Sequence, residues 1–153
     1  MAKKEEFGPD FRYLVRLVNT DLDGKQNVVN ALCGIKGVHN RLSRLIAVEA
    51  GVPLEARIGN LSDEQIKTIN AALESVEDFT PAWMRNRQND PSSGEDQHLI
   101  GSEIDLVLEE DINSLKKIKS WKGHRHDKNL PVRGQRTKAN GRTGATVGVQ
   151  RKK

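Results

Sequence analysis

The alternation of apolar and polar positions along the chain predicts a short extended segment followed by a series of helices. Phe11-Arg12-Tyr13-Leu14-Val15-Arg16-Leu17-Val18 is rich in β-formers and puts Tyr13, Val15 and Leu17 on one face. Asn19 to Gly24 reads as a turn closed by its glycine, so the strand has no visible partner and should be short or merely extended. Helical spacing starts between Lys25 and Asn27 and runs to about Cys33, with Val28, Val29, Ala31 and Leu32 apolar and Gly34 as the stop. A turn from Ile35 to His39 leads into a second helix, Asn40 to Ala50, with Leu42, Leu45, Ile46 and Ala50 inward. Gly51 and Pro53 end it.

Ser62 to Ser75 has the clearest local signals. Ser62 and Gln65 form a capping-box pattern, Asp63 and Glu64 suit the positive helix end, and Ile66, Ile69 and Leu73 make the buried stripe. From 76 to 101 periodicity fades among Pro81, Pro91 and Ser92-Ser93-Gly94, which predicts an irregular insertion. Trp83, Met84, Arg85 and Arg87 either anchor that insertion on the core or touch a partner, and for Trp83 anchoring is the favoured reading. Ser102 to about Ser120 is the longest helix, with acids early, lysines late, and Ile104, Val107, Leu108, Ile112, Leu115 and Ile118 at helical spacing. The fold class is therefore mostly α. A small helical domain spans residues 11–120, after an N-terminal extension of residues 1–10 and before a basic tail of residues 121–153.

Charge changes this picture most. Residues 116–153 hold 13 of the chain's 25 bases but only one of its 21 acids, Asp127, leaving 12 bases and 20 acids in residues 1–115. The modest net charge of +4 thus conceals an acidic body and a strongly basic end. That end has too few apolar residues to offset the entropy of ordering itself, and its Arg, Lys, Asn, Gln and Thr side chains suit phosphate and sugar oxygens. The pattern points to a nucleic-acid-binding tail with salt-dependent affinity.

Other chemistry finds little support. A single cysteine, Cys33, excludes an internal disulfide and, set among Val29, Ala31 and Leu32, reads as a buried structural thiol in a reducing compartment. His124 and His126 flank Arg125 but lack the Cys and His spacing of a zinc site, so no cofactor or metal is expected. Glu109-Glu110-Asp111 reads as a solvated helix face, and no nucleophile-elbow, phosphate-loop or metalloprotease pattern occurs; no enzyme is expected. No apolar run approaches the roughly 18 residues of a membrane span, and Met1 to Glu6 lacks the apolar centre of a secretion signal, so an intracellular chain without a membrane partner is expected. The turn Ile35 to His39 between two helices could bring backbone N–H groups and a glycine close to a phosphate, with Lys36 and Arg41 on either side.

The run Leu130-Pro131-Val132-Arg133-Gly134-Gln135-Arg136-Thr137-Lys138-Ala139-Asn140-Gly141-Arg142-Thr143-Gly144 closely resembles the signature of the ribosomal small-subunit protein thirteen family. Lys122-Gly123-His124-Arg125-His126 resembles the Arg-Gly-Leu-Arg-His run just upstream of that signature, and Ala31-Leu32 with Ile35-Lys36-Gly37-Val38 resembles the family's first hairpin. The likeness covers roughly residues 11–148, and Asn19 to Gly24 and the insertion around Trp83 are similar to the archaeal and eukaryotic branch. Three positions depart from the pattern: His39 stands where a second glycine is usual, His124 replaces a leucine, and Asn129 replaces a glycine. Asn accepts left-handed backbone almost as glycine does.

The resemblance implies a helix–two-turn–helix domain in the head of the small ribosomal subunit. It implies binding to small-subunit rRNA, contacts with small-subunit protein nineteen and, across the intersubunit bridge, with large-subunit protein five, and a tail reaching toward the tRNA in the peptidyl site. The expected RNA-binding residues are Arg133, Gly134, Gln135, Arg136, Thr137, Lys138, Asn140 and Arg142, prepared by Lys122, Arg125 and His126, with Lys36, Arg41 and Arg44 as a second tier. Trp121 either packs on the last helix or stacks on a base. A helical-hairpin DNA-binding module and a protein-interaction domain docking through the acidic surface and the Val76–Gly101 connector are the alternatives.

Overall fold

Apolar side chains at alternate positions give the first ordered element of the structure, a computed structural model that describes residues 11–138. Strand β1 (Leu14–Leu17) pairs antiparallel with β2 (Thr20–Asp23), Leu14 opposite Asp23 and Leu17 opposite Thr20. This corrects the expectation of an unpartnered strand followed by a turn from Asn19 to Gly24. The turn is only Val18-Asn19, both with positive φ (44° and 57°), the twist that suits a two-residue hairpin loop. Thr20 to Asp23 is thereby released to pair, and Leu22 joins Val15 and Leu17 in the core. Tyr13 stays 59% exposed, packed edge-on against Phe11.

Helix α1 (Val28–Leu32) is shorter than its apolar spacing suggested. Gln26 and Asn27 are drawn into backbone pairing instead, Asn27 bridging Arg57 and the Gln26 carbonyl accepting from Ile58 N–H at 3.1 Å. Helix α2 (Asn40–Glu49) buries Leu42, Ser43, Ile46 and Ala47, while Leu45 and Ala50 are only half-buried. The buried face is rotated from the one expected because the Ser43 hydroxyl is satisfied within the helix, donating to the His39 carbonyl at 3.0 Å, and can be buried. Helix α3 (Asp63–Glu74) carries the expected capping box: Gln65 N–H donates to Ser62 Oγ at 3.3 Å and Ser62 N–H to Gln65 Oε1 at 3.1 Å. Ile69, Ala72 and Leu73 are buried, but Ile66 only partly so. The core is built from these elements, with Leu32, Ile35, Ile46, Ile58 and Ile69 almost fully buried.

After α3 comes a single helical turn, α4 (Val76–Phe79), and then a 3-10 turn at Ala82–Met84. Polar side chains, not periodic apolar ones, shape the rest. Arg85 donates to the carbonyls of Glu77 (2.7 Å) and Asp96 (2.8 Å), and Asn86 exchanges hydrogen bonds with the Leu99 backbone (2.8 and 2.9 Å). Asp90, almost fully buried, accepts from Arg87 Nε at 2.5 Å and from the Ser92 hydroxyl and the Ser93 N–H. Those donors hold its carboxyl well below the usual range, the Ser92 hydroxyl contributing most. Trp83 is not the anchor: it is 66% exposed, and Met84 packs against the core instead.

His98 pins this segment to the α1–α2 turn. Its Nε2 lies 3.1 Å from the Gly37 carbonyl and its backbone N–H donates to Glu77 Oε1 at 2.7 Å, leaving Nδ1 buried without a hydrogen-bond partner. Burial lowers the pKa of the ring from its ordinary value of 6.5. The contribution of the neutral ring is therefore present above 6.5 and is lost as pH falls through the lower folded pKa, because a second ring proton would be buried without an acceptor. Amide-exchange protection factors of residues 96–101, which divide out the intrinsic slowing of exchange in acid, are expected to fall on going from neutral to mildly acidic buffer, and His98→Gln should remove that fall; a protection profile shared by wild type and variant would refute the assignment.

Helix α5 (Glu103–Lys117) has Glu103 and Asp105 in its first turn and Lys116 and Lys117 in its last, as its charge order suggested. None of its residues is buried among those described. The described chain divides into two compact units within this helix, between Leu106 and Val107. No helix among the described residues is long and apolar enough to cross a membrane.

Candidate nucleic-acid interface

The interface begins with a serine that the basic tail did not advertise as a helix start. Ser120 Oγ accepts from Gly123 N–H at 3.0 Å and donates to the Leu115 carbonyl at 2.9 Å, capping a sixth helix, α6 (Trp121–Asp127). Gly123 is buried, and a Cβ there would lie 2.2 Å from the Leu115 carbonyl oxygen, so only glycine allows the first turn of α6 to lie against the end of α5. The basic segment is therefore helical over its first seven residues, and its extended part starts only beyond Asn129. Asn129 has φ 50°, the left-handed conformation that asparagine accepts.

Helix α6 carries three of the sequence-predicted residues. Lys122 is exposed, and Arg125 and His126 are half-buried. Arg125 Nε donates to the Pro131 carbonyl at 2.9 Å, and its backbone carbonyl accepts from Leu130 N–H at 2.9 Å, so the arginine ties the start of the tail back onto the helix. Its guanidinium also lies 5.8 Å from the centre of the Trp121 ring. Arg133, Gly134, Gln135, Arg136, Thr137 and Lys138 are all exposed and in neither helix nor strand, with Gly134 at φ 72°. Asn140 and Arg142 lie outside the described residues. Among those described, Lys122, Lys128, Arg133, Arg136 and Lys138 are exposed, and Arg125 is turned back onto the chain.

The second tier lies elsewhere. Lys36 Nζ is 2.5 Å from Asp105 Oδ2, both side chains exposed. Arg41 and Arg44 are exposed one turn apart on α2, and the Arg41 guanidinium sits 5.9 Å from the centre of the Trp83 ring. Gly37 has φ 89°, but the space it leaves is filled by the chain itself: a Cβ there would meet the Leu99 carbonyl oxygen at 2.5 Å, and Gly101 N–H donates to the Lys36 carbonyl at 2.9 Å. The turn glycine thus serves close packing of residues 99–101.

Cys33 is half-buried rather than fully buried, its Sγ within 3.2 Å of the Val29 carbonyl and Asn40 Oδ1. No group of three or more His, Cys, Asp or Glu able to hold a metal occurs among the described residues. Reading the sequence also missed the pairing of Trp121 with His124, whose rings stack at 6.1 Å with a 26° tilt. Their spacing of three residues would have revealed it had a helix been expected there.

Residues 16–143 match the family model described as "Ribosomal protein S13/S18". This chain belongs to that family. It is 52% identical over 152 residues to the small ribosomal subunit protein uS13 of Methanothrix thermoacetophila, covering 99% of this chain and 96% of the relative. The same protein of Methanococcoides burtonii is 50% identical (94% and 97% covered), and that of Methanothermobacter thermautotrophicus 48% (94% and 97%). The ribosomal protein S13/S18 family is structural and non-enzymatic, and RNA binding is general to it. The match extends past the described residues far enough to include Asn140 and Arg142.

Proposed function

We propose that this protein is a structural, rRNA-binding constituent of the small ribosomal subunit, acting in translation in the cytoplasm. The segment 121–153 follows a helical domain of residues 11–120, and its Arg133, Gln135, Arg136, Thr137, Lys138, Asn140 and Arg142 meet RNA phosphates and sugars. Gly134 lets the backbone pass close to the RNA, and Lys122, Arg125 and His126 form the approach. Lys36, Arg41 and Arg44 add backbone contacts from the hairpin. In the assembled ribosome the body lies in the subunit head beside small-subunit protein nineteen, meets large-subunit protein five across the bridge, and sends its tail toward the peptidyl-site tRNA.

The observation that carries this reading is the unbroken exposure of the cationic run Arg133 to Lys138 in a chain of this family. An acidic body with a basic end restricts attraction to that end. The test compares intact protein on small-subunit head RNA and on duplex DNA of equal length across a salt series. Tighter binding to the RNA at every salt concentration is expected. Equal affinity for both polymers would favour a general nucleic-acid module instead.

A further inference from the structure

We propose that the groove beside α6 seats one unstacked base of looped or single-stranded RNA on the Trp121–His124 pair, with Lys119 beside its phosphate. This inference rests on the RNA-binding reading and deepens it. The groove has a volume of about 690 Å³ and is lined by Lys116, Lys119, Trp121, His124 and Asp127, among others. Trp121 is 72% exposed, although an indole is among the side chains that bury most area when they pack. The His124 ring lies nearly parallel to it at 6.1 Å and the Arg125 guanidinium is 5.8 Å from its centre, yet most of the indole still faces solvent. An aromatic surface backed by a cation and left open inside a basic segment is the arrangement on which unpaired bases stack.

Charge decides between a base and a bare phosphate. Asp127, the only acid in residues 116–153, lines the groove and sits 3.6 Å from Lys116, so one lysine is already engaged and a carboxylate would repel an anion at that end. A neutral base with its N–H edge toward the carboxylate fits there, while Lys119 lies on the groove to meet the phosphate that follows. His124 stacks on the indole and lines the groove with it, so the two rings together form the aromatic part of the seat.

The test uses the full chain with Trp83→Phe, which leaves Trp121 as the remaining indole of the two. The probes are a short single-stranded oligoriboadenylate, an abasic ribose-phosphate polymer of equal length, and an oligoglutamate of matched charge. Trp121 emission is expected to be quenched by the oligoriboadenylate alone. In anisotropy measurements Trp121→Leu should weaken oligoriboadenylate binding by about tenfold and leave the abasic polymer unaffected. His124→Leu, in which the ring alone is lost and α6 is retained by circular dichroism, should weaken it in the same direction. Equal binding of base-bearing and abasic polymers with unchanged emission would overturn the base seat and leave the RNA-binding reading standing. Quenching by oligoglutamate equal to that by RNA would show a groove that reads charge only, and would also overturn it. Failure to bind any RNA would bring down both.

Discussion

With Arg133, Arg136 and Lys138 all changed to glutamine, affinity for small-subunit head RNA is expected to fall on the order of a hundredfold at physiological salt, and the log–log salt slope to flatten by about two to three units. The size follows from counterion release, in which each phosphate neutralised contributes about 0.7 to 0.9 of a unit. All three side chains are exposed and outside regular structure, so the thermal midpoint should not move, and that constancy separates lost contacts from lost folding. Glutamine retains hydrogen-bonding capacity, which isolates the charge. A substituted protein with the parent's salt slope would mean that the cations of this run do not meet phosphate, and would remove the principal support for a tail-driven interaction.

Ile46→Ala is expected to destabilise the helical body by about 2–5 kcal/mol, a large part of the roughly 5–15 kcal/mol that holds a domain of ordinary size together. Ile46 is fully buried on α2, and its truncation leaves a cavity between helices that cannot close completely. Leu45→Ala removes a similar volume from a half-buried position one residue away and should cost clearly less. Urea midpoints at constant slope measure both. Equal losses at the two positions would mean that the buried face of α2 is the one the spacing of Leu42, Leu45, Ile46 and Ala50 suggested. Because α2 also carries Arg41 and Arg44, the Ile46 variant should lose the hairpin's contribution to RNA binding before it loses that of the tail.

Much of the candidate interface was legible in the sequence because its signal is compositional. Arg133, Arg136 and Lys138 stand out as a candidate polyanion-binding run from their charge and spacing alone, and all three are exposed. The capping box at Ser62 and Gln65 was legible for a related reason, since both hydrogen bonds close within one turn. Helix α6 was not legible in the same way. Its start depends on Ser120 reaching back to the Leu115 carbonyl and on Gly123 lying against that same backbone, contacts that basic composition does not announce. With α6 unseen, the stacking of Trp121 on His124 was unseen too.

The sequence by itself determined a mostly helical chain, the local grammar of α3 and α5, the separation of acidic body from basic end, and the family to which the chain belongs. Each of these depends on residues close together in the chain or on composition over a long window. Only the tertiary structure decided that Leu14–Leu17 finds a partner in Thr20–Asp23, that α2 buries Ser43 and Ala47 rather than Leu45 and Ala50, and that Met84 rather than Trp83 packs on the core. It also decided that Gly37 makes room for residues 99–101, some sixty positions away. Periodicity states how many faces a helix has and how apolar they are. Which face is covered, and which glycine is crowded, depends on the segment that arrives from elsewhere in the chain to pack against it.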